Sequence, residues 1–267
     1  MGNDNKAGDK LSATPRQYAV CALLIAMGTF GLSGIILHTL KVDTHIAIIL
    51  GGIVGVLLYR NKYPIDIKGM ASSFDITVPI MIFLLNFTAC ELASGLFGAI
   101  FSRFMTVKEN THSTVTAAAV IGSVILAPIG EELTYRLCGQ GLIGKCYGKM
   151  FTILFPTLVF SLMHGFYNIQ GMVNVFAGTI FFALCYYYTE NVLYTIIAHV
   201  LHNLFCLPDA SAFYNSVNGF DIPKLPAAAV CLVIFAAGMV WYVKVFRVKY
   251  TDAPAHLTDA AEQAAGG

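Results

Sequence analysis

Apolar residues in this chain run in long blocks broken by short polar clusters, without the alternation of a half-buried strand or the single apolar face of a soluble helix. Blocks near Tyr18–Leu37, Thr39–Tyr59, Ile76–Phe101, Thr114–Gly130, Phe151–Tyr167, Gly171–Tyr188, Asn191–Leu207 and Ala227–Val245 approach the roughly 20 residues that a helix needs to cross a bilayer. The expected fold is all-α: a polytopic membrane helical bundle of about eight transmembrane helices. In the second block Lys41 and Asp43 leave a clean apolar stretch only from His45 to Tyr59, and the fourth continues past Gly130 to Gln140, taking charged residues with it. The first block follows Lys6, Lys10 and Arg16 as a signal peptide would. Its length, about 20 residues, and its lack of a small-x-small cleavage site make it read as the first membrane helix.

Composition agrees with that pattern. Of 267 residues 57% are hydrophobic and 12% charged, against roughly 25% charged in a soluble domain, which excludes an ordinary soluble enzyme. One integral membrane domain is expected over 16–250, with its catalytic core at about 114–207, between polar tails at 1–15 and 251–267 that lack apolar periodicity and read as disordered. The net charge of +1 provides no field for nucleic acid, so no nucleic-acid partner is expected. The seven cysteines are scattered, mostly in apolar blocks and with no CxxC pair, and read as buried small hydrophobes. No internal repeat is visible.

Charge placement sets an orientation, because Lys and Arg gather in short cytoplasmic loops. With the N-terminus inside, Lys6, Lys10, Arg16, Arg60, Lys62, Lys68, Lys145, Lys149, Lys244, Arg247 and Lys249 are cytoplasmic, whereas only Lys41, Arg103, Lys108 and Lys224 are outside. Both termini are therefore expected in the cytoplasm of a multi-pass protein of a prokaryotic cell membrane, or of the endoplasmic reticulum membrane in a eukaryote.

Ionisable groups inside spans mark functional sites or internal pairs, and here they cluster late. Glu131 and Glu132 point about 100° apart on one helix. Glu132 and Arg136 are four apart in the favourable order for an ion pair, which leaves Glu131 without a built-in partner, as a general base in a dry site requires. Phe160 and His164 share one helix face, the ring shielding the imidazole. His199 and Asn203 repeat the four-residue spacing and can both donate to one oxygen, as an oxyanion hole does. His202 lies near enough to line the same cavity. The chemistry suggested is water activated by Glu131 and His164 for attack on a carbonyl. The alternative is Zn²⁺ held by His164, His199 and Glu131 with water in the fourth position. There is no HExxH and no GxSxG. Glu91, in the third block, has no assigned part.

The order EELTYR (Glu131 to Arg136), FSLMH (Phe160 to His164) and HVLHN (His199 to Asn203) resembles the EExxxR, FxxxH and HxxxN motifs of the CAAX protease and bacteriocin-processing (CPBP, or Abi) family of intramembrane endopeptidases. The resemblance covers roughly Thr114 to Leu207. It implies a site open to the cytoplasmic side that cleaves peptide bonds in hydrophobic or lipid-modified, membrane-associated peptides. It also implies that Glu131 and His164 activate water, that His199 and Asn203 form the oxyanion hole, and that Glu132, Arg136 and Phe160 support them. The family has been described both as metal-dependent and as glutamate-dependent without a metal; the expectation is no cofactor, with Zn²⁺ as the alternative. Expected partners are membrane lipid and the peptide substrate, and the sequence does not set an oligomeric state. Two other classes use the same residues: a non-proteolytic binding, bacteriocin-immunity or scaffold protein that keeps the motif as structure, and a proton-coupled transporter with a Glu/His relay.

Overall fold

The computed structural model describes residues 14–101, 117–164, 169–207 and 224–251, and every regular element among them is helical. Helix α1 (Pro15–Thr39) starts where its sequence supplies a capping box: Thr14 accepts from the Gln17 amide at 3.3 Å, Gln17 returns a bond to the Thr14 amide at 2.9 Å, and Pro15 takes the first helical position. Helix α2 (His45–Arg60) begins at His45, where the clean apolar stretch begins. The short α3 (Ile67–Ser72), capped by Asp66, leads to α4 (Thr77–Phe101), whose first turn is held by Asp75 accepting from the Thr77 amide and hydroxyl. A long broken helix, α5 (117–144), follows, then α6 (Lys149–His164), α7 (Ile169–Thr189), α8 (Val192–Phe205) and α9 (224–251).

Four helical stretches are long and apolar enough to cross a membrane: Pro15–Thr39, Thr77–Phe97, Ile169–Thr189 and Ala228–Tyr250. His45–Arg60, Lys149–His164 and Val192–Phe205 are apolar but shorter. The protein is thus a multi-pass membrane protein in which a helix occupies each of the eight apolar blocks; three of these helices do not reach full span length, and the block near Thr114–Gly130 forms the first part of the broken α5. The polar tails fall outside the described residues apart from Thr14, Pro15 and Thr251. The cysteines depart from expectation: Cys138 and Cys185 are buried, whereas Cys21 and Cys206 are exposed.

Helix α5 carries the EExxxR segment and is irregular in a way its sequence explains. Pro128 has no N–H to donate and its ring crowds the carbonyl of the preceding turn. The helix widens just ahead of it, over Ile121–Leu126, where the Ala127 amide donates to the Gly122 carbonyl five residues back. A second wide stretch, Leu133–Gln140, ends with the Gly141 amide on the Arg136 carbonyl. Glu131 and Glu132 close the α-helical segment between the two (Ala127–Glu132), and such widenings are frequent at functional sites. Glycines hold α5 against α2. A Cβ added at Gly130 would lie 2.5 Å from the Ile48 carbonyl oxygen, and one at Gly52 would lie 2.9 Å from the Gly130 Cα. Close approach through small residues is how helices associate without a hydrophobic force between them.

Two apolar clusters flank the site. Ile82, Leu85, Phe182, Tyr194 and Phe246 join α4, α7, α8 and α9. Leu23, Tyr59, Leu142, Ile143 and Phe160 join α1, α2, α5 and α6. The His199 ring touches both, with ring centroids 6.1 Å from Phe160 and 5.4 Å from Phe182, so the polar residues occupy the seam between them.

Candidate active site

Glu132 and Arg136 form the ion pair expected from their spacing, with Nε 3.4 Å from Oε2, and both side chains are almost completely enclosed, at 1% and 0% exposure. Arg136 also reaches the Thr179 carbonyl at 3.4 Å and Gln140 Oε1 at 3.5 Å, and Gln140 donates to the Ala183 carbonyl at 2.7 Å. The guanidinium ties α5 to α7 through long, imperfect bonds, so the Glu132 charge is its main compensation. Its carbon lies 5.8 Å from the centre of the Phe160 ring, close enough for a cation–π contribution.

Spacing along one helix did not reveal the second task of Glu132. Its Oε1 accepts from His199 Nδ1 at 2.9 Å, across 67 residues of sequence. A carboxylate there requires Nδ1 to carry the proton, which leaves Nε2 as the ring's second nitrogen, a donor when it carries a proton of its own. That Nε2 lies 3.7 Å from Glu131 Oε2. Glu131 therefore does have a neighbouring basic group, on a different helix, and its side chain keeps 15% exposure whereas Glu132 keeps 1%.

His164 is tied in a parallel way. Its Nδ1 lies 2.9 Å from the Phe160 carbonyl, an arrangement that suits an Nδ1–H donor and leaves Nε2 available, and its ring sits 4.5 Å from that of Phe160. The shielding expected from the FxxxH spacing is present, and Phe160 is itself packed edge-on against Tyr135. Glu131 is in electrostatic contact with His199, His164 and His45. The structure thus brings Glu131, Glu132, Arg136, Phe160, His164 and His199 together from α5, α6 and α8.

Asn203 makes a bond that its spacing from His199 does not indicate. Its amide nitrogen donates to the Ser123 carbonyl at 2.8 Å, in the widened first part of α5, so one N–H is taken and one remains to serve an oxyanion. His199 can add a donor there only through Nε2–H, since Nδ1 is taken by Glu132. His202 packs edge-on against Phe87, 3.5 Å from Cys206 Sγ, and Glu91 sits half-buried on α4, within electrostatic reach of Cys206 and Cys231. One residue without a role in the sequence reading lies within electrostatic reach of Glu131: His45, at the head of α2, with Nδ1 2.6 Å from Asp43 Oδ1 and its ring filling the space beside Gly122. The only sequence signal for it was an ionisable residue at the edge of an apolar block.

Among the described residues no three His, Cys, Asp or Glu side chains are placed to hold a metal ion. His164, His199 and Glu131, the set a zinc site requires, do not converge as ligands. The Nδ1 of His199 is bonded to Glu132, and its Nε2 lies 3.7 Å from Glu131 Oε2.

Residues 113–205 match the family model described as Rce1-like, type II CAAX prenyl endopeptidase, and with it the resemblance carried by the three motifs holds for that segment. No curated protein and no solved structure matches the chain.

Proposed function

From that family match and the geometry around Glu131, we propose that the chain is an intramembrane endopeptidase that hydrolyses peptide bonds of membrane-associated or lipid-modified peptides without a metal step. The observation that carries the proposal is the Glu132–His199–Glu131 arrangement: one carboxylate, paired with Arg136, fixes the imidazole, and the ring's free nitrogen faces a second, accessible carboxylate. In this reading Glu131 takes a proton from water, with His164 Nε2 orienting it, and the water oxygen bonds to the peptide carbonyl carbon. The negative charge moves to the carbonyl oxygen, where the spare N–H of Asn203 and Nε2–H of a protonated His199 receive it. Collapse breaks the C–N bond, and the proton held by Glu131 passes to the leaving amine through His164. General-base catalysis of this kind contributes about 10²–10⁴-fold, and each oxyanion donor about 10²–10³-fold.

The test is mass spectrometry of peptide termini in membranes and medium from cells making wild-type protein or Glu131→Ala at matched expression. A terminus that appears only with the wild type supports the proposal and names a substrate. Matching samples with a surviving phenotype give the binding or immunity reading the lead, and a pH-gradient-driven flux without new termini gives it to transport.

A further inference from the structure

A cavity of about 220 Å³ lies where α2 ends, α3 passes and α7 turns into α8. None of the residues that line it belongs to the Glu131 group. Its volume is below the roughly 300–1,000 Å³ of sites for drug-sized ligands, so it has room for a small molecule or for one side chain. Pro64, Ile65 and Met70 make part of the wall apolar, and the rest of the lining is polar.

That polar lining presents acceptors. Ser73 Oγ donates to the Gly69 carbonyl at 2.8 Å, Thr189 Oγ1 to the Cys185 carbonyl at 2.8 Å, and Asn191 Nδ2 to the Met70 carbonyl at 2.9 Å. With its proton committed in this way, a hydroxyl has only lone pairs left to offer. The two carboxylates are acceptors by nature. Asp66 takes the Gly69 amide at 2.9 Å and Glu190 takes Lys145 at 2.9 Å, and each has about four lone-pair sites. Among the described residues no Lys, Arg or His lines the cavity.

Two phenols complete the lining, Tyr59 at 8% and Tyr186 at 3% exposure. Their rings meet over Gly141, where an added Cβ would lie 2.8 Å from Tyr186 Oη and 2.9 Å from Tyr59 Cε2, and both hydroxyls are in electrostatic contact with Glu190. Among the described residues neither hydroxyl has a hydrogen-bond partner. A buried hydroxyl left without one is costly, and these two border a space from which a ligand can supply it.

An acceptor-rich lining, two negative charges and a short apolar wall together select a cation that carries several N–H donors on an aliphatic stem. We propose that this cavity binds an alkylguanidinium or alkylammonium group, held by Asp66, Glu190 and the phenol oxygens of Tyr59 and Tyr186, with its stem against Ile65 and Met70. The group belongs either to a free small amine or to the Arg or Lys side chain of a peptide. The proposal does not rest on the endopeptidase reading.

The full chain in detergent and an amine-free buffer is titrated calorimetrically with n-butylguanidinium, n-butylammonium, tetramethylammonium and N-acetylarginine methylamide. The two butyl cations should bind, and tetramethylammonium, which has the charge without the N–H donors, should bind at least about tenfold more weakly, since a hydrogen bond to a charged group is worth that factor or more. Binding of the blocked arginine assigns the cavity to peptide side chains; binding of the butyl cations alone assigns it to free amines. Tyr186→Phe and Asp66→Asn, whose amide keeps the α3 cap, should each weaken binding by about tenfold while eluting with the wild type on size-exclusion chromatography. Glu190→Gly should do the same, and because Glu190 has φ 48°, where glycine is unstrained, it removes the carboxylate without a backbone cost should another variant fail to accumulate. No binding of either butyl cation, equal binding of tetramethylammonium, or wild-type affinity in folded Asp66→Asn and Tyr186→Phe overturns the proposal.

Discussion

Two neighbouring carboxylates should fail in opposite ways when each becomes an amide. Glu132→Gln removes the charge facing Arg136 at 3.4 Å in a site where both groups are almost fully enclosed. With an effective dielectric of about 20, that pair is worth roughly 5 kcal/mol, in line with the ~3–5 kcal/mol lost when one partner of a buried pair is removed. The remaining contacts of Arg136, to Thr179 and Gln140 at 3.4 and 3.5 Å, are too long to compensate. The His199 Nδ1–H keeps an amide oxygen as acceptor, so the loss falls on the ion pair. Glu131→Gln leaves that pair intact and weakens only the looser contact with His199 at 3.7 Å, so stability should change by about 1 kcal/mol or less, while turnover falls by ~10²–10⁴. Thermal unfolding of both variants in detergent, read by size-exclusion chromatography, together with release of peptide termini, separates the two effects. If Glu132→Gln melts with the wild type, or Glu131→Gln melts well below it, the assigned division of labour between the two glutamates is wrong.

Further outcomes follow from the same geometry. Gly130→Ala should destabilise by about 1–3 kcal/mol through overpacking, because the new Cβ would press on the Ile48 carbonyl; a wild-type melting temperature would refute the close α2–α5 contact. Asn203→Ala should lower turnover ~10²–10³-fold while leaving the peptide-binding step nearly unchanged, which a KM-against-kcat comparison reads. Lys249 and Thr77 hold the Asp75 carboxyl down to about 2 from the ordinary 3.8. Since the folded value is the lower one, the stabilisation is present above pH 3.8 and is lost as pH falls towards 2. Asp75→Asn should therefore make the end of α9 more open to trypsin at Lys249 at neutral pH, a difference that shrinks at the acid end when probed with an acid-active protease. A metal chelator should leave terminus release unchanged, and activity restored only by added Zn²⁺ would overturn the metal-free reading.

Much of the molecule was legible in the residue pattern. Long apolar blocks leave few options for a chain in lipid, where only helices satisfy their own backbone groups, so the helices and the His45 start of α2 followed from the sequence. The Glu132–Arg136 pair and the Phe160–His164 stack were legible too, since four residues return a side chain to the same face and the helix itself determines the contact. The His199–Glu132 bond, the Asn203–Ser123 bond and the packing of the His45 ring beside Gly122 were not. Each joins helices far apart in sequence, and their register depends on how closely α2 and α5 pack through Gly52 and Gly130 and on the widening that Pro128 imposes on α5. The sequence by itself determined which groups enter the membrane and, through its lysines and arginines, which end of the bundle is basic. Only the tertiary structure decided what each polar group faces, because side-chain pairing arises from packing between helices, which no single helix contains.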